Sequence, residues 1–377
     1  MQATFRKVSF IKRISMGRNQ VVSMTDHAAQ FPDFDHFQNN VAEKLAGIVR
    51  GDDAVLSVAW FRKVIDVFLC CETEFKDVVL MGRDPAQLSK APMDRVLEEY
   101  MDRVVKALDI CNAVTHAVEL VKHWQQLAEI GVEALNQKPI GEGHVRRAKK
   151  ALNSLLTSMN FDDKDKINAK SADRSSSFGR RGTAETVKNR SSFRSLSFPF
   201  AKSWSSAKQI QLMSANMVVP RGDDGGGLAL PVYIMSTFMN FTMWALVAAF
   251  PCQERNGLPA QLPIGKNLGW AQPILSMQET IGEEWKKKNK NLMNGGLLKE
   301  SQRLEKVAAF LVDYDFSDED EMAAEVAELA EICQKMDDGL GALGQQVRDV
   351  FHRLAKSRTE VLNHVDQLSA STSQINN

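Results

Sequence analysis

Between Met93 and Gln137 the chain holds a helical apolar rhythm for 45 residues without a proline. Leu97, Met101, Val104, Leu108, Cys111, Val114, Val118 and Val121 recur at three- and four-residue steps, one stripe of a long helix. At 1.5 Å per residue such a helix spans on the order of 60–70 Å. Propensity alone does not hold a helix of this length in water, so its stripe needs partners along most of its run. That requirement points to a bundle rather than a compact enzyme core. Pro139, Gly141 and Gly143 end the stretch.

The flanking segments read the same way. Asp33 or Asp35 is placed to cap a helix running to about Arg50, and Asp52 or Asp53 the next, running to about Met81. In the second, Val55, Val58, Phe61, Ile65, Phe68, Phe75 and Val79 form the apolar face. The segment RDPAQLSKAP interrupts the pattern, because proline cannot continue a helix interior. A basic helix is expected at 142–159. Periodicity is lost over 160–200 and resumes near Phe200, ending at Pro220 and the turn RGDDGGG. After a Pro- and Gly-spaced loop at 251–270, helices are expected over 271–290, 296–312, 320–337 and 342–369. Gly295, Gly296, Gly339 and Gly341 serve as punctuation. No strand pair and no internal repeat stands out. The expected fold class is all-α: an elongated multi-helix bundle with one very long helix and a disordered Ser/Arg-rich central linker. Its parts are a basic arm (1–30), N-terminal helices (31–160), the linker (161–200) and C-terminal helices of the same bundle (201–377).

Composition narrows the class further. Hydrophobic residues make up 44% and charged residues 25%, which excludes a wholly disordered, collagen-like or polytopic membrane chain. Cys70, Cys71, Cys111, Cys252 and Cys333 follow no disulfide spacing and fit a reducing compartment. The formal net charge of zero hides an asymmetry of +7 over residues 1–210 and −7 over 211–377. Residues 171–210 hold eight basic and two acidic side chains; residues 313–331 hold nine acidic and none basic. Such tracts attract each other or mark different partners. Residues 1–24 carry Arg6, Lys7, Lys12, Arg13 and Arg18, no acid, and interleaved apolar residues. They read as an unstructured terminus, a transit peptide or an arm touching anionic lipid; they lack the apolar run of a secretory signal.

The longest uncharged run contains the 23 mostly apolar residues from Leu228 to Phe250. That length can cross a bilayer. Pro231, Ser236, Thr237, Asn240 and Thr242 dilute it, and Asn240, near its middle, needs a partner. Two readings stand: a buried central helix of the bundle, or a single membrane span. Topology favours burial, because a span would separate the later amphipathic helices from the long helix whose face they need.

The linker contains RSSSF at 174–178 and NRSSFRSLSFP at 189–199. Arginines three residues before Ser177 and Ser197 suit basophilic kinases, which makes Ser177, Ser195 and Ser197 candidate phosphorylation sites. Arg194, Ser197 and Pro199 match the arginine–serine–x–phosphoserine–x–proline pattern of 14-3-3 ligands. Phosphate there would also cut the positive charge of the tract.

Signals for chemistry are weak. Gly141-Glu142-Gly143 and Gly225–Gly227 lack the context of a phosphate loop. Cys111 and His116 share no helix face; His116 and His123 could share one but have no third ligand. The acidic run lacks the ligand spacing of an EF hand. No catalytic, metal or cofactor residue is assigned, no cofactor is expected, and nucleic acid is not an expected partner.

Several stretches together resemble one plant family: AWFRKVIDVFLCCETEF (59–75), DRVVKALDICNAV (102–114), GEGHVRRAKKAL (141–152), LALPVYIMS (228–236), WALVAAFPCQ (244–253) and VRDVFHRLAKSRTEVL (347–362). ISMGRNQVVSM (14–24), RSLSF (194–198) and SWSSAKQ (203–209) add to them. The chain is similar to the BYPASS/ROH-like family, described largely as a domain of unknown function, over about residues 14–365. The resemblance implies a non-enzymatic plant adaptor or regulator of exocyst-dependent secretion or developmental signalling that binds Exo-seventy-type exocyst subunits. It supplies no catalytic residues to carry over. Taken with the charge pattern, it leads to a cytoplasmic protein peripheral to the plasma membrane, with 14-3-3 proteins and anionic lipid as further partners. The other reading is a single-pass membrane protein spanning at 228–250.

Overall fold

The computed structural model describes residues 32–80, 88, 90–160, 204–221, 227–252, 257–291, 296–314 and 319–375. The basic arm 1–30 and the linker 161–200 lie outside them. Among the described residues there are nine α-helices and no strand: α1 (Pro32–Arg50), α2 (Val58–Leu80), α3 (Met93–Leu135), α4 (Glu142–Met159), α5 (Ser206–Ser214), α6 (Ala229–Ala249), α7 (Gln272–Asn291), α8 (Lys299–Asp313) and α9 (Glu319–Ile375). A short 3-10 turn, Gly269–Ala271, precedes α7. The fold is all-α.

Two long helices make the frame. The apolar stripe of α3 is buried except for the half-buried Leu108, together with Tyr100, Ile110 and Trp124 beside it. Its main partner is α9, which at 57 residues runs about 85 Å. The two are antiparallel: Gln125 of α3 reaches Asp337 of α9, and Val118 lies beside Gly344, further along α9. α2 lies along the same helix in the parallel sense, as Asp66–Gln346, Thr73–Arg353 and Lys76–Glu360 step up together. α4 closes against α3 and α8. Gly131 permits that approach, because a Cβ there would stand 3.0 Å from Leu152 Cδ2.

α6 occupies the centre. α1, α2, α3, α5 and α7 all pack on it, and every residue from Ala229 to Ala249 except Leu230 is buried. Phe238 meets Phe68 edge-on at 5.5 Å between ring centroids, and Phe250 meets Phe61 at 5.8 Å. Each such ring contributes about 1.5–3 kcal/mol by leaving water. Three of the polar residues that dilute the run find internal partners, although Asn240 Oδ1 has none. Asn240 Nδ2 donates to Ser214 Oγ at 2.9 Å. Thr237 and Thr242 donate to carbonyls one turn back, and Trp244 Nε1 donates to Pro259 O at 2.8 Å. A buried helix end would strand its carbonyls. Here Leu297 and Leu298 donate their N–H groups to Ala248 O and Ala249 O.

Three expectations need correction. α1 begins at Pro32, so Asp33 and Asp35 stand in its first turn rather than before it. α2 begins at Val58, not after Asp52 or Asp53. Ser57 is the cap, its Oγ accepting from Trp60 N–H at 3.1 Å, while Asp53 pairs with Lys63. The third concerns Gly339 and Gly341, which do not punctuate: α9 is continuous through both. The physical reason at Gly339 is steric. A Cβ there would fall 2.5 Å from Val58 Cγ1, so the glycine marks where α9 crosses the start of α2. Close packing mimicked a breaker in the sequence.

Candidate functional site

The cysteines behave as core. Burial pushes the thiols of Cys71, Cys111 and Cys333 up to about 12, which keeps them protonated and unreactive at neutral pH. Cys70 is the exception, exposed and 3.6 Å from Glu74 Oε1. Desolvation lowers the pKa of His116. Among the described residues no group of three or more His, Cys, Asp and Glu side chains is arranged to hold a metal ion.

Leu228 and Phe250, the ends of the apolar segment, are both buried in the bundle. Ser177, Ser195 and Ser197, with Arg194 and Pro199, lie outside the described residues. The chain enters that linker from the end of α4 and returns at Trp204, directly before α5.

What the described surface offers is grooves. The first is a cleft of about 60 Å³ between α3, the α5–α6 connection and α6, with Val96, Glu99, Arg103, Met217, Val218 and Tyr233 among its walls. Val218 at its rim is 78% exposed; its neighbour Val219 and Leu212 of α5 are exposed too. Asn216 shapes this wall. Its φ of 59° lies in the left-handed region that Asn tolerates, and it turns the chain out of α5.

Arg103 holds the wall from beneath. Its buried guanidinium donates from Nε to Met213 O at 3.1 Å and from Nη2 to Ala215 O at 3.3 Å. Nη2 also pairs with Glu99 at 3.4 Å. A cation at the end of α5 satisfies carbonyls that the helix leaves open. Sequence reasoning did not single out Arg103. Its signal was a charge on the buried face of α3, between Tyr100 and Ala107.

The second groove, about 210 Å³, lies between α3 and α9 and is lined by Glu129, Val132, Glu133, Cys333, Gln334 and Asp337, with Ala330 beside them. Three carboxylates and no cation line it. Glu129 and Asp337 both accept from Gln125 Nε2, at 2.9 and 3.5 Å.

These features define a helical-bundle protein whose described surface carries shallow inter-helical grooves. The chain belongs to the ROH1-like family: the Protein ROH1-like family profile matches residues 1–365. It is 42% identical to Protein ROH1A of Arabidopsis thaliana, covering 95% of this chain and 96% of that protein. It is 38% identical to Protein ROH1D of the same plant, covering 87% of each. No solved structure matches the chain.

Proposed function

We propose that this protein is a non-enzymatic plant adaptor that regulates exocyst-dependent secretion, with an Exo-seventy-type exocyst subunit as its partner. The observation that carries this reading is the apolar wall of the α5–α6 connection. In a bundle that buries most of its large side chains, Val218 stands open at a cleft, with Val219 next to it in the chain and Leu212 exposed on the preceding α5, and exposed apolar groups rimmed by polar ones mark contact surfaces for proteins. A helix laid along that wall would bury them. Membership of the ROH1-like family supports the regulatory part of the reading.

In this proposal the protein is cytoplasmic and peripheral to the plasma membrane. The basic tract 171–210 supplies attraction to anionic lipid. Phosphorylation at Ser177, Ser195 or Ser197 lowers that attraction, and Arg194, phosphorylated Ser197 and Pro199 form a 14-3-3 docking segment. The burial of α6 favours this over a single-pass protein, since a span would have to leave five packed neighbours.

The test is direct binding of the purified full-length chain to a purified Exo-seventy-type subunit. Replacing Leu212 and Val218 together by Asp is expected to weaken binding tenfold or more, on the order of 1.4 kcal/mol or above, with the Tm unchanged because both side chains are exposed. Equal binding by the variant would move the contact elsewhere. No binding by the unaltered chain would remove the exocyst from the account.

A further inference from the structure

Glu72 of α2 is fully buried; neither carboxylate oxygen has a well-aligned hydrogen bond, and the one hydroxyl within reach is that of Ser357 on α9. Four helices surround this part of α2, and most of their charges are paired with other groups. From α9, Arg353 stops 3.8 Å away. Its side chain is 42% exposed and also donates to Thr73 Oγ1 at 2.5 Å. Ser357 and Glu360 also face the carboxyl from α9, and Lys76 from α2 itself. Lys76 and Glu360 are paired with each other at 3.1 Å. From α3, Tyr100 brings a buried hydroxyl that feels the Glu72 charge and has no hydrogen-bond partner. From α1, Lys44 is held by Glu74 at 2.9 Å. α6 carries no charged residue. A buried carboxylate served by at most one hydroxyl is far more costly than the same group neutral.

We propose that Glu72 is a proton-operated latch between α2 and the C-terminal half of α9. Neutral, it lets the α2–α9 seam close dry. Ionised, it draws Arg353 and water into the seam and loosens α9 from Arg353 onward, with the proton passing to solvent. Burial supports this direction, holding the Glu72 pKa above the ordinary carboxylate range against the opposing pull of Ser357, Arg353 and Lys76. Because the folded-state value is raised, the stabilisation is complete below the ordinary carboxylate range. It is lost as pH rises through the raised value. The latch therefore opens on the alkaline side. Its occupant is a proton, so the inference stands apart from the exocyst reading.

The experiment is hydrogen exchange on the full-length chain over a series from about pH 5 to about pH 8.5, with rates corrected for the intrinsic pH dependence of exchange. It follows peptides covering 350–364 in α9, with 105–120 in α3 as the control. In the unaltered chain, protection of 350–364 should fall on the order of tenfold across the series while the control holds. In Glu72→Gln, which imitates the neutral acid, protection should stay high and flat. In Arg353→Gln the fall should move to higher pH, because the nearest cation is gone. An identical fall in Glu72→Gln, or none in the unaltered chain, overturns the latch. A Glu72→Gln chain unprotected at every pH overturns the claim that the neutral form closes the seam. An unmoved midpoint in Arg353→Gln removes Arg353 from it.

Discussion

Glu300 shows how a single side chain joins distant segments. It lies in the first turn of α8, and its Oε1 accepts the Val58 N–H that opens α2, at 3.1 Å. It thus caps a helix 242 residues away in the chain. The adjacent Lys299 N–H donates to Leu56 O at 3.1 Å, which holds Leu56 at a φ of 71°. Burial lifts the Glu300 pKa, and hydrogen bonds from its own N–H and that of Val58 draw it back. The raised folded-state value means that stability is lost as pH rises above the ordinary carboxylate range. Glu300→Gln keeps an acceptor for Val58 and removes the titration. Calorimetry should therefore show the variant gaining on the unaltered chain as pH rises, and a difference independent of pH would contradict this. The sequence hid the contact because a cap supplied from another helix leaves no local spacing. Arg103 was hidden in the same way: its charge stood out on a buried face, but the carbonyls it serves lie about 110 positions on.

Among the helices, legibility followed the length of the apolar rhythm. α3 was expected from Met93 to Gln137 and runs Met93–Leu135. α4 matches its expected span of 142–159. The α9 break was misread because a glycine that opens a turn and a glycine that admits a neighbour look alike in one sequence. Gly339 and Gly341 separate the two cases by experiment. Ala is favoured over Gly inside a helix by about 1 kcal/mol. At Gly341 nothing lies within 4 Å of the added methyl, so Gly341→Ala should stabilise by roughly that amount. At Gly339 the methyl meets Val58, a stiff β-branched side chain whose own N–H is held by Glu300. Overpacking costs about 1–3 kcal/mol and outweighs the helix term, so Gly339→Ala should be neutral to destabilising by about 2 kcal/mol. The denaturant midpoint of Gly341→Ala should rise while that of Gly339→Ala stays in place or falls. A shared stabilisation would mean that α9 does not press on α2.

Across the whole molecule, a class was readable but a site was not. The need of α3 for partners foretold a bundle, and the uncharged run 228–250 foretold a segment that avoids water. Which apolar phase receives that segment depends on whether other helices can cover it on every side, and this is a property of the assembled fold. Asn240 made the choice visible only once Ser214 was found beside it. The cleft by Val218 had no motif at all, since its walls come from α3, the α5–α6 connection and α6. The central claim is that α6 is the core around which one bundle closes, with its apolar surface spent on protein. The most direct measurement is alkaline carbonate extraction of membranes from plant cells expressing the full-length chain. The account predicts release into the supernatant, because α6 is enclosed by the other helices of the bundle. Retention in the pellet with integral membrane proteins would contradict it and would place residues 228–250 in lipid.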